Sequence, residues 1–415
     1  MVRLKGFEKL RSVNDALKTF LREAKPKVIG REKVPLNEAY GRILASDIVA
    51  EIDIPPFDKS LMDGFAVRAE DTIGASIYSP RKLKVVDKDF VGKLEAKRIW
   101  TGNPIPKGAD AVVELERTRV LNGEIEVFTQ VAPGRNISVK GEDIRRGEVA
   151  VKAGVRLRPQ HLGLAASLGL THLEVAKKPQ TFILSTGDEL VEVGEKPSEG
   201  KIIDSNRLIL SSMCRELGAE PIDGGIVKDD LAEISSAIKF GVKKADMVIT
   251  SGGTSVGERD LTPLAIEKLG GRIIVHGVAI RPGMPTALGL VEGKPVIALS
   301  GNPVAAIVGF ELFVRPLILA LLGASREHRP LLKAKLARNV ASTLGFQVFL
   351  RVKVSLTSGE FIAEPVRARG SSIISSMTGS NGYVLIPPDR EGLLAGEEVL
   401  VHLFDDVGVE DCLES

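Results

Sequence analysis

The sequence is poor in cysteine, histidine and aromatic residues, and its charges nearly cancel. Its two cysteines, Cys214 and Cys412, lie far apart, so no disulfide framework or cysteine metal site can be written. The five histidines are scattered, without the close pairing typical of zinc sites. Because 56 Lys and Arg stand against 54 Asp and Glu, no broad basic surface for nucleic acid or anionic lipid is expected. These shortages predict an intracellular protein with a small-molecule substrate and neither a nucleic-acid nor a membrane partner.

The sequence has no segment of the form of a signal peptide and no uninterrupted membrane span. Its N-terminus is charged and amphipathic rather than apolar. The longest apolar run, 304–324, carries Glu311, Arg315 and Pro316. Pro316 is expected to break or kink a helix there, so a buried core helix is predicted instead of a span. A cytoplasmic location follows from these features.

The length of 415 residues exceeds what one hydrophobic core supports and predicts about three compact units. A first helix is expected from Ser12 to Glu23, with Ser12 as its N-cap, followed by a partly helical segment. A second helix is expected after Pro159, and we expect it to pack on the first. Residues 1–50 and 149–180 would then form one discontinuous domain.

The hydrophobic pattern divides the rest of the chain into three further domains. Residues 51–148 alternate short β-like runs with Gly and Pro turns, which predicts a small inserted β domain. Residues 181–325 alternate helices with continuous apolar strands, which indicates a parallel sheet covered on both faces. Residues 331–415 return to two-residue alternation and predict a β domain of barrel or sandwich type. The predicted fold class is multidomain α/β and β, with a central parallel α/β domain, an inserted small β domain and a C-terminal barrel-like β domain.

Three glycine-containing loops follow strands of the predicted parallel sheet, at the edge where such sheets bind ligands. They are residues 185–189, 251–260 and 301–303. Their glycines let backbone N–H groups approach an anion, and Pro303, after Asn302, suits the first position of a helix. The glycines concerned are Gly252, Gly253, Gly257 and Gly301. Each loop alone is equally an ordinary turn, but three on one edge predict a phosphate-binding rim.

Carboxylates lie at the same predicted strand-to-helix junctions. They are Asp188, Glu189, Asp229 and Asp260. Helix capping explains Asp229, Asp230 and Asp260 equally well. Because carboxylates repel a phosphate unless a cation intervenes, the alternative is a Mg²⁺-phosphate substrate. Arg281 offers a permanent cation with a planar fork that suits an oxyanion, although a solvated loop arginine has the same pattern.

A serine hydrolase is a further alternative. Residues 253–257 fit G-x-S-x-G with Ser255 as the nucleophile, and Asp260 and His276 keep a triad order. Ser255 would lie in the middle of a loop rather than on a sharp strand-to-helix turn, which disfavours this interpretation. The sequence has neither a P-loop nor a G-x-G-x-x-G pattern.

Eight motifs occur in order along the chain. They are PPFDKSLMDGFAVR (55–68), TGNPIPKGADAVV (101–113), VKGEDIRRGE (139–148), STGDEL (185–190), IIDSNR (202–207), TSGGTSVGERD (250–260), HGVAIRPGMPTALG (276–289) and LSGNPVA (299–305). Together they resemble the molybdopterin molybdenumtransferase family, which includes the gephyrin E domain. The resemblance implies a four-domain homodimer whose active site lies between the inserted domain of one subunit and the α/β and C-terminal domains of the other. It also implies a reaction in which adenylylated molybdopterin and molybdate give molybdenum cofactor and AMP, with Mg²⁺ present.

The resemblance further implies roles for single residues where the letters match. The inserted domain would contribute Asp63, Thr101 and Asp143. Mg²⁺ and the adenylyl phosphate region would be held by Asp188, Glu189, Asp229, Ser255 and Asp260. The oxyanion would be contacted by Arg281, Arg369, Ser372 and Ser375. Either Asp63 or Glu189 would orient the attacking oxygen.

Two positions depart from the family pattern. Gly277 stands where many members have a lysine, and Ser300 replaces the first proline of a PGNP motif. Both lie near the expected oxyanion pocket, so tungstate stays beside molybdate as the candidate oxyanion. A binding module is the last alternative, because some relatives of this fold act as scaffolds. Its exposed edge would then anchor another protein, such as another cofactor-biosynthesis protein.

Overall fold

The computed structural model of the protein describes residues 10–253, 260–324, 329–366, 370 and 372–409. Its first element is helix α1 (Val13–Ala24). Ser12 caps α1, as predicted, because its side chain accepts a hydrogen bond from the backbone N–H of Asp15 at 3.2 Å. The buried face of α1 lies in the same core as the central sheet of the α/β domain.

Helix α2 (Pro159–Ser167) begins at the predicted proline but does not pack on α1. Its buried Ala165 shares a separate core with Leu44 and Leu173. The prediction of a contact between the two helices is therefore wrong, because the apolar face of α1 is already covered by the α/β domain. The partly helical segment expected before residue 50 is reduced to one 3₁₀ turn, Leu36–Glu38.

Two short antiparallel pairs join the two sides of the inserted sequence. Strand β1 (Arg31–Pro35) pairs with β12 (His172–Ala176). Strand β2 (Ile48–Val49) pairs with β11 (Val149–Val151). The chain therefore leaves for the inserted domain and returns from it at neighbouring points.

The inserted domain contains strands only, apart from short 3₁₀ turns, in the residues that the structure describes. Its strands are β3 (Lys59–Ser60), β4 (Gly64–Val67), β5 (Arg81–Val85), β6 (Glu95–Ile99), β7 (Ala111–Glu114), β8 (Thr118–Leu121), β9 (Glu124–Val127) and β10 (Ile137–Ser138). Six of them form one sheet in the order β7-β4-β6-β5-β9-β8, while β3 pairs with β10. Buried Phe65, Leu83 and Ile125 share one core on this sheet.

The α/β domain alternates strands and helices as predicted. Its strands are β13 (Gln180–Thr186), β14 (Leu190–Val191), β15 (Ile202–Ile203), β16 (Glu220–Val227), β17 (Met247–Ser251), β18 (Arg272–His276), β20 (Ala287–Val291) and β21 (Lys294–Leu299). Its helices include α3 (Asn206–Leu217), α4 (Leu231–Lys244) and α5 (Leu261–Lys268). The sheet order is β16-β13-β17-β21-β20-β18. The first four of these strands are parallel, and β20 and β18 add an antiparallel edge.

The long apolar helix runs without interruption from Pro303 to Leu321. It consists of α6 (Pro303–Gly309), a π-helical stretch (Phe310–Val314) and α7 (Arg315–Leu321). Pro316 was expected to break or kink the helix. The helix is not broken, and its regular α geometry is interrupted by the wider π turn just before the proline. The helix is long and apolar enough to cross a membrane, yet 78% of its apolar window is buried in the protein.

The C-terminal domain closes into a barrel. Its elements are β19 (Ile280–Arg281), β22 (Leu331–Leu336), β23 (Val340–Ala341), β24 (Gln347–Thr357), β25 (Glu360–Pro365), α8 (Ser375–Thr378), β26 (Gly382–Ile386), β27 (Gly392–Leu393), β28 (Glu398–Leu403) and β29 (Gly408–Val409). Strand β24 pairs with both β25 and β26, which closes the ring β24-β25-β22-β28-β26. The predicted fold class is confirmed.

Candidate functional site

A cavity of about 280 Å³ opens at the carboxyl ends of β13, β17 and β21. It is lined by residues from all three predicted loops. These are Ser185, Thr186 and Glu189 after β13, Ser251 at the end of β17, and residues 300–303 after β21. The structure therefore brings the described parts of the three loops to one place on the sheet edge.

Gly252 and Gly253 allow the loop after β17 to lie against β13. Their φ angles of +93° and +63° are in the left-handed region. A Cβ on Gly252 would lie 2.2 Å from the carbonyl oxygen of Thr186, and one on Gly253 would lie 2.6 Å from Thr262 Oγ1. At Gly301 the nearest atom would be the Cα of Gly252, at an ordinary 3.5 Å. The close approach requires glycine at 252 and 253 but not at 301.

Asn206, the first residue of α3, ties two of the loops together. Its Nδ2 donates to Ser251 Oγ at 2.8 Å and to the carbonyl oxygen of Gly301 at 2.7 Å. The residue is 7% exposed and lines the cavity, as does Asp204. Sequence reasoning missed both residues as site candidates. The available signal was the polar group Asp204, Ser205 and Asn206 between a short strand and a helix.

Several buried polar atoms of residues that line the cavity have no hydrogen-bond partner among the described residues. They are Ser185 Oγ, Thr186 Oγ1, Asp204 Oδ2 and Asn206 Oδ1. In folded proteins, buried polar groups are nearly always paired with protein or water. Four such atoms on residues around one cavity leave hydrogen-bonding capacity there that the described residues do not use.

Two helices begin at this cavity. α3 follows Ser205 and α6 follows Asn302, and neither of these side chains makes a capping hydrogen bond. Pro303 occupies the first turn of its helix, as predicted. The free N–H groups of a first helical turn carry partial positive charge. The helix starts therefore give the cavity some affinity for an anionic group.

The four predicted metal ligands are dispersed. Glu189 lines the cavity, whereas Asp188 Oδ1 accepts a hydrogen bond from the backbone N–H of Asp229 at 3.3 Å. Asp260 Oδ2 lies 2.6 Å from His276 Nε2. Within the described parts of the chain, no three acidic, His or Cys side chains gather closely enough to hold a metal. The expected set of four carboxylates is not assembled, because Asp260 is directed to the histidine of a neighbouring strand.

Asp260 and Asp230 behave differently at their helix starts. Asp230 caps α4, accepting hydrogen bonds from the N–H groups of Ala232 and Glu233 at 2.8 and 2.9 Å. Asp260 precedes α5 without a capping hydrogen bond and pairs with His276 instead. The hydrogen bond that His276 donates to Asp260 raises the pKa of His276 against the opposing effect of burial. This pair is also what the hydrolase alternative requires, but Ser255 and Gly257 lie outside the described residues.

Arg281 lies away from the cavity, on β19. Strand β19 pairs with β24, so it belongs to the C-terminal sheet. The Arg281 guanidinium donates to Thr343 Oγ1 at 3.2 Å and lies 4.5 Å above the ring of Phe346. Arg281 therefore lies away from the cavity because its strand pairs with the barrel. Ser372 and Ser375 are exposed next to α8, and Arg369 lies outside the described residues.

On the inserted domain, the structure brings Asp63 and Thr101 together. The backbone N–H and the Oγ1 of Thr101 both donate to Asp63 Oδ1 at 2.8 Å. These two hydrogen bonds, the backbone one first, lower the pKa of Asp63. Asp143 is exposed, and its N–H donates to the carbonyl oxygen of Ile54 at 3.0 Å. In the described part of one chain, none of these three residues makes a hydrogen bond to a residue that lines the cavity.

Models of known protein families match the chain from its first helix to its C-terminal domain. Residues 11–169 match the model of the MoeA N-terminal region (domains I and II), residues 182–320 match a probable molybdopterin binding domain, and residues 333–404 match the MoeA C-terminal region (domain IV). The crystal structure of a molybdopterin biosynthesis MoeA protein from Pyrococcus horikoshii superposes with a TM-score of 0.83. It is 37% identical, with 95% of this chain and 100% of that chain covered.

Two curated relatives match over nearly their whole length. A putative molybdopterin biosynthesis protein of Methanocaldococcus jannaschii is 42% identical over 97% of this chain and 98% of its own. A molybdopterin molybdenumtransferase of Bacillus subtilis is 37% identical over 90% of both chains. The chain therefore belongs to the molybdopterin molybdenumtransferase family, whose members are transferases of molybdenum cofactor biosynthesis.

Proposed function

We propose that this enzyme inserts molybdate into adenylylated molybdopterin and releases AMP, and that the cavity at the sheet edge holds part of this substrate. One observation carries the proposal. The three loops that the sequence singled out separately, 185–189, 251–253 and 301–303, meet at one cavity in the domain that matches a molybdopterin-binding model. Ligands of open parallel sheets bind at this edge. The reaction takes place in the cytoplasm.

The protein's contribution to the reaction is positioning and electrostatic stabilisation. The free N–H groups at the start of α6, and the backbone of Gly252 and Gly253, favour the phosphate-bearing part of the substrate. Glu189, at the cavity, or Asp63, on the inserted domain, orients the attacking oxygen. Metal insertion at the dithiolene sulfurs is coupled to cleavage of the adenylyl bond.

Mg²⁺ is the cofactor that we expect with the phosphate. In such sites Mg²⁺ is commonly held by one or two protein carboxylates together with substrate phosphates and water, so a preformed cage is not needed. Glu189 at the cavity and Asp188 in the same loop fit this donor set of one or two carboxylates and would hold the ion. When bound, Mg²⁺ offsets the negative charge of the adenylyl phosphate.

The Asp63–Thr101 pair and Asp143 act in our proposal from a second subunit. All three are oxygen-bearing residues of the inserted domain, and Asp63 and Asp143 are exposed. In the described part of one chain they have no hydrogen bond to the cavity. A homodimer in which the inserted domain of one subunit faces the α/β domain of the other would complete the site. The C-terminal domain would then contribute four residues to one side of this shared site, namely Arg281, Ser372, Ser375 and Arg369.

The direct test is release of AMP from adenylylated molybdopterin, measured by chromatography with molybdate and Mg²⁺ present. Replacing Glu189 with Ala should lower the rate at least about a hundredfold, because a positioned acid-base group contributes on this scale. Glu199→Ala, which changes an exposed acid of the same segment, is the matched control and should keep wild-type activity. Wild-type turnover in Glu189→Ala contradicts the role of Glu189. A wild-type protein that binds the substrate without releasing AMP would instead be a binding module.

The oxyanion needs a separate measurement. Molybdate and tungstate are nearly isosteric, and Gly277 and Ser300 leave both as candidates. We propose molybdate as the substrate, in line with the curated relatives named molybdenumtransferases. Competition between the two oxyanions in the AMP assay, with metal analysis of the product, should give molybdenum in excess. An excess of tungsten in the product would contradict this choice.

A further inference from the structure

The cavity has an unusual balance of charge for a site that takes a phosphorylated substrate. Among its described lining residues there are two carboxylates, Glu189 and Asp204, and no Lys, Arg or His. The carboxylate of Asp204, whose nearest cation is the shared guanidinium of Arg207, disfavours a bare phosphate in the part of the cavity beside it. A ligand group that donates hydrogen bonds is favoured there instead.

Asp204 has one oxygen without a hydrogen bond. The residue is 2% exposed, and its Oδ1 accepts the backbone N–H of Arg207 at 3.3 Å. Oδ2 lies 3.5 Å from Arg207 Nε, but no described group donates a hydrogen bond to it. Because the Arg207 guanidinium also contacts Glu192 and Asp223, its charge is shared among three carboxylates. Asp204 therefore keeps unused capacity to accept a hydrogen bond.

Asn206 adds a second acceptor of fixed identity. Its Nδ2 donates to Ser251 and to Gly301, so the orientation of the amide is set and Oδ1 faces no described donor. A buried amide oxygen and a buried carboxylate oxygen without partners thus belong to two residues at the start of α3. The hydroxyls of Ser185 and Thr186, also unpaired, line the same cavity.

We propose that Asp204 and Asn206 recognise the 2-amino-4-oxopyrimidine edge of the pterin. This inference rests on the proposed function, since it assigns one end of that substrate. The 2-amino group and the neighbouring ring N–H form a pair of adjacent donors, which Asp204 Oδ2 and Asn206 Oδ1 would accept. The cavity of about 280 Å³ is small for a whole nucleotide-linked molecule, so it would take one end of it. The phosphate end would lie away from Asp204, at the start of α6 and beside Glu189, which would carry Mg²⁺.

The test uses two ligands that differ at one position. Fluorescence titration with 6-methylpterin and with 6-methyllumazine, which has an oxygen in place of the 2-amino group, measures the contribution of that group. The wild-type protein should bind the pterin at least about tenfold more tightly, because the oxygen of the lumazine would face an acceptor. Equal binding of the two ligands, or no binding of the pterin, overturns the inference without any variant.

Variants then test whether Asp204 recognises the 2-amino group of the pterin. Asp204→Asn should remove most of the preference for the pterin. Asp223→Asn is the matched control, because it also removes a carboxylate from Arg207 but lies outside the cavity, and it should keep the preference. Thermal unfolding of both variants checks that they fold. A preference for the pterin that persists in folded Asp204→Asn overturns the role of Asp204.

The two proposals fail separately. AMP release by a wild-type protein that does not distinguish the pterin from the lumazine would sustain the proposed function and overturn the recognition by Asp204. A clear pterin preference without AMP release would sustain the recognition and overturn the transfer reaction.

Discussion

The cavity of the α/β domain and the Asp63–Thr101 pair of the inserted domain are opposite kinds of candidate site. In the cavity, buried oxygens such as Asp204 Oδ2 lack hydrogen-bond partners. Just before β4 of the inserted domain, Asp63 is an exposed residue whose Oδ1 accepts two hydrogen bonds from Thr101. The cavity is therefore incomplete without a ligand. The Asp63–Thr101 pair already has its internal hydrogen bonds and would need a second domain or subunit to form a site. The difference suggests how substitutions in the two places will differ.

The largest effect is expected at the glycines that shape the cavity. Gly252→Val would place side-chain carbon 2.2 Å from the Thr186 carbonyl oxygen, at a φ of +93°. We expect a loss of about 2–3 kcal/mol of unfolding free energy, measured by urea denaturation, and loss of AMP release. Gly301→Ala has an ordinary 3.5 Å contact at the same edge and should cost less than about 1 kcal/mol. Equal effects at the two positions would mean that the close approach does not shape the site.

The second prediction tests whether the two regions meet across subunits. Asp63→Ala and Glu189→Ala should each abolish AMP release while leaving the fold intact. Mixing the two variants under conditions that exchange subunits should restore about a quarter of wild-type activity, because half of the dimers are mixed and each has one intact site. Either variant refolded alone serves as the control. No recovery after verified exchange would place Asp63 and Glu189 in the same site of one subunit, or show that they do not act together.

The smallest effect is expected from the link between the loops. Asn206→Ala removes two buried hydrogen bonds and should cost about 2 kcal/mol of unfolding free energy. AMP release should fall as well, since the loops at Ser251 and Gly301 lose their common anchor. Ser205→Ala, at the neighbouring position, removes a side chain that makes no capping hydrogen bond and should be close to neutral. Similar losses in both variants would contradict the role of Asn206 as the anchor.

The order of the elements and much of the cavity follow from local sequence. The apolar run of β13 and its Thr186-Gly187 exit identify the strand and the loop after it, and parallel strands bring such exits to one edge. The hydrogen-bond partners of Asn206 could not be predicted from the sequence, because Gly301 is 95 residues away and no periodic pattern marks that contact. The position of Arg281 was equally hidden. Its two-residue strand is too short to show any period, and its pairing with β24 is decided by packing between domains.

The acidic residues teach the same lesson at a finer scale. Asp230 and Asp260 both precede helices and are indistinguishable as caps in the sequence. Only the fold reveals that His276, on the strand after α5, lies 2.6 Å from Asp260. A hydrogen bond from the histidine replaces the capping interaction and separates Asp260 from the other expected metal ligands.

The short strand β19 has a consequence for how the molecule moves. The segment that leads into it is held on one side by the N-terminal residue Arg11, whose carbonyl oxygen accepts the N–H of Ala279 at 2.7 Å. On the other side, the N–H of Gln347 donates to the carbonyl oxygen of Ala279 at 2.9 Å. Main-chain hydrogen bonds on both sides of Ala279 thus connect the barrel to the N-terminal segment that packs on the α/β domain. The inserted domain, in contrast, is joined to the rest of the chain at the short pair β2 and β11, so we expect it to move more readily than the barrel.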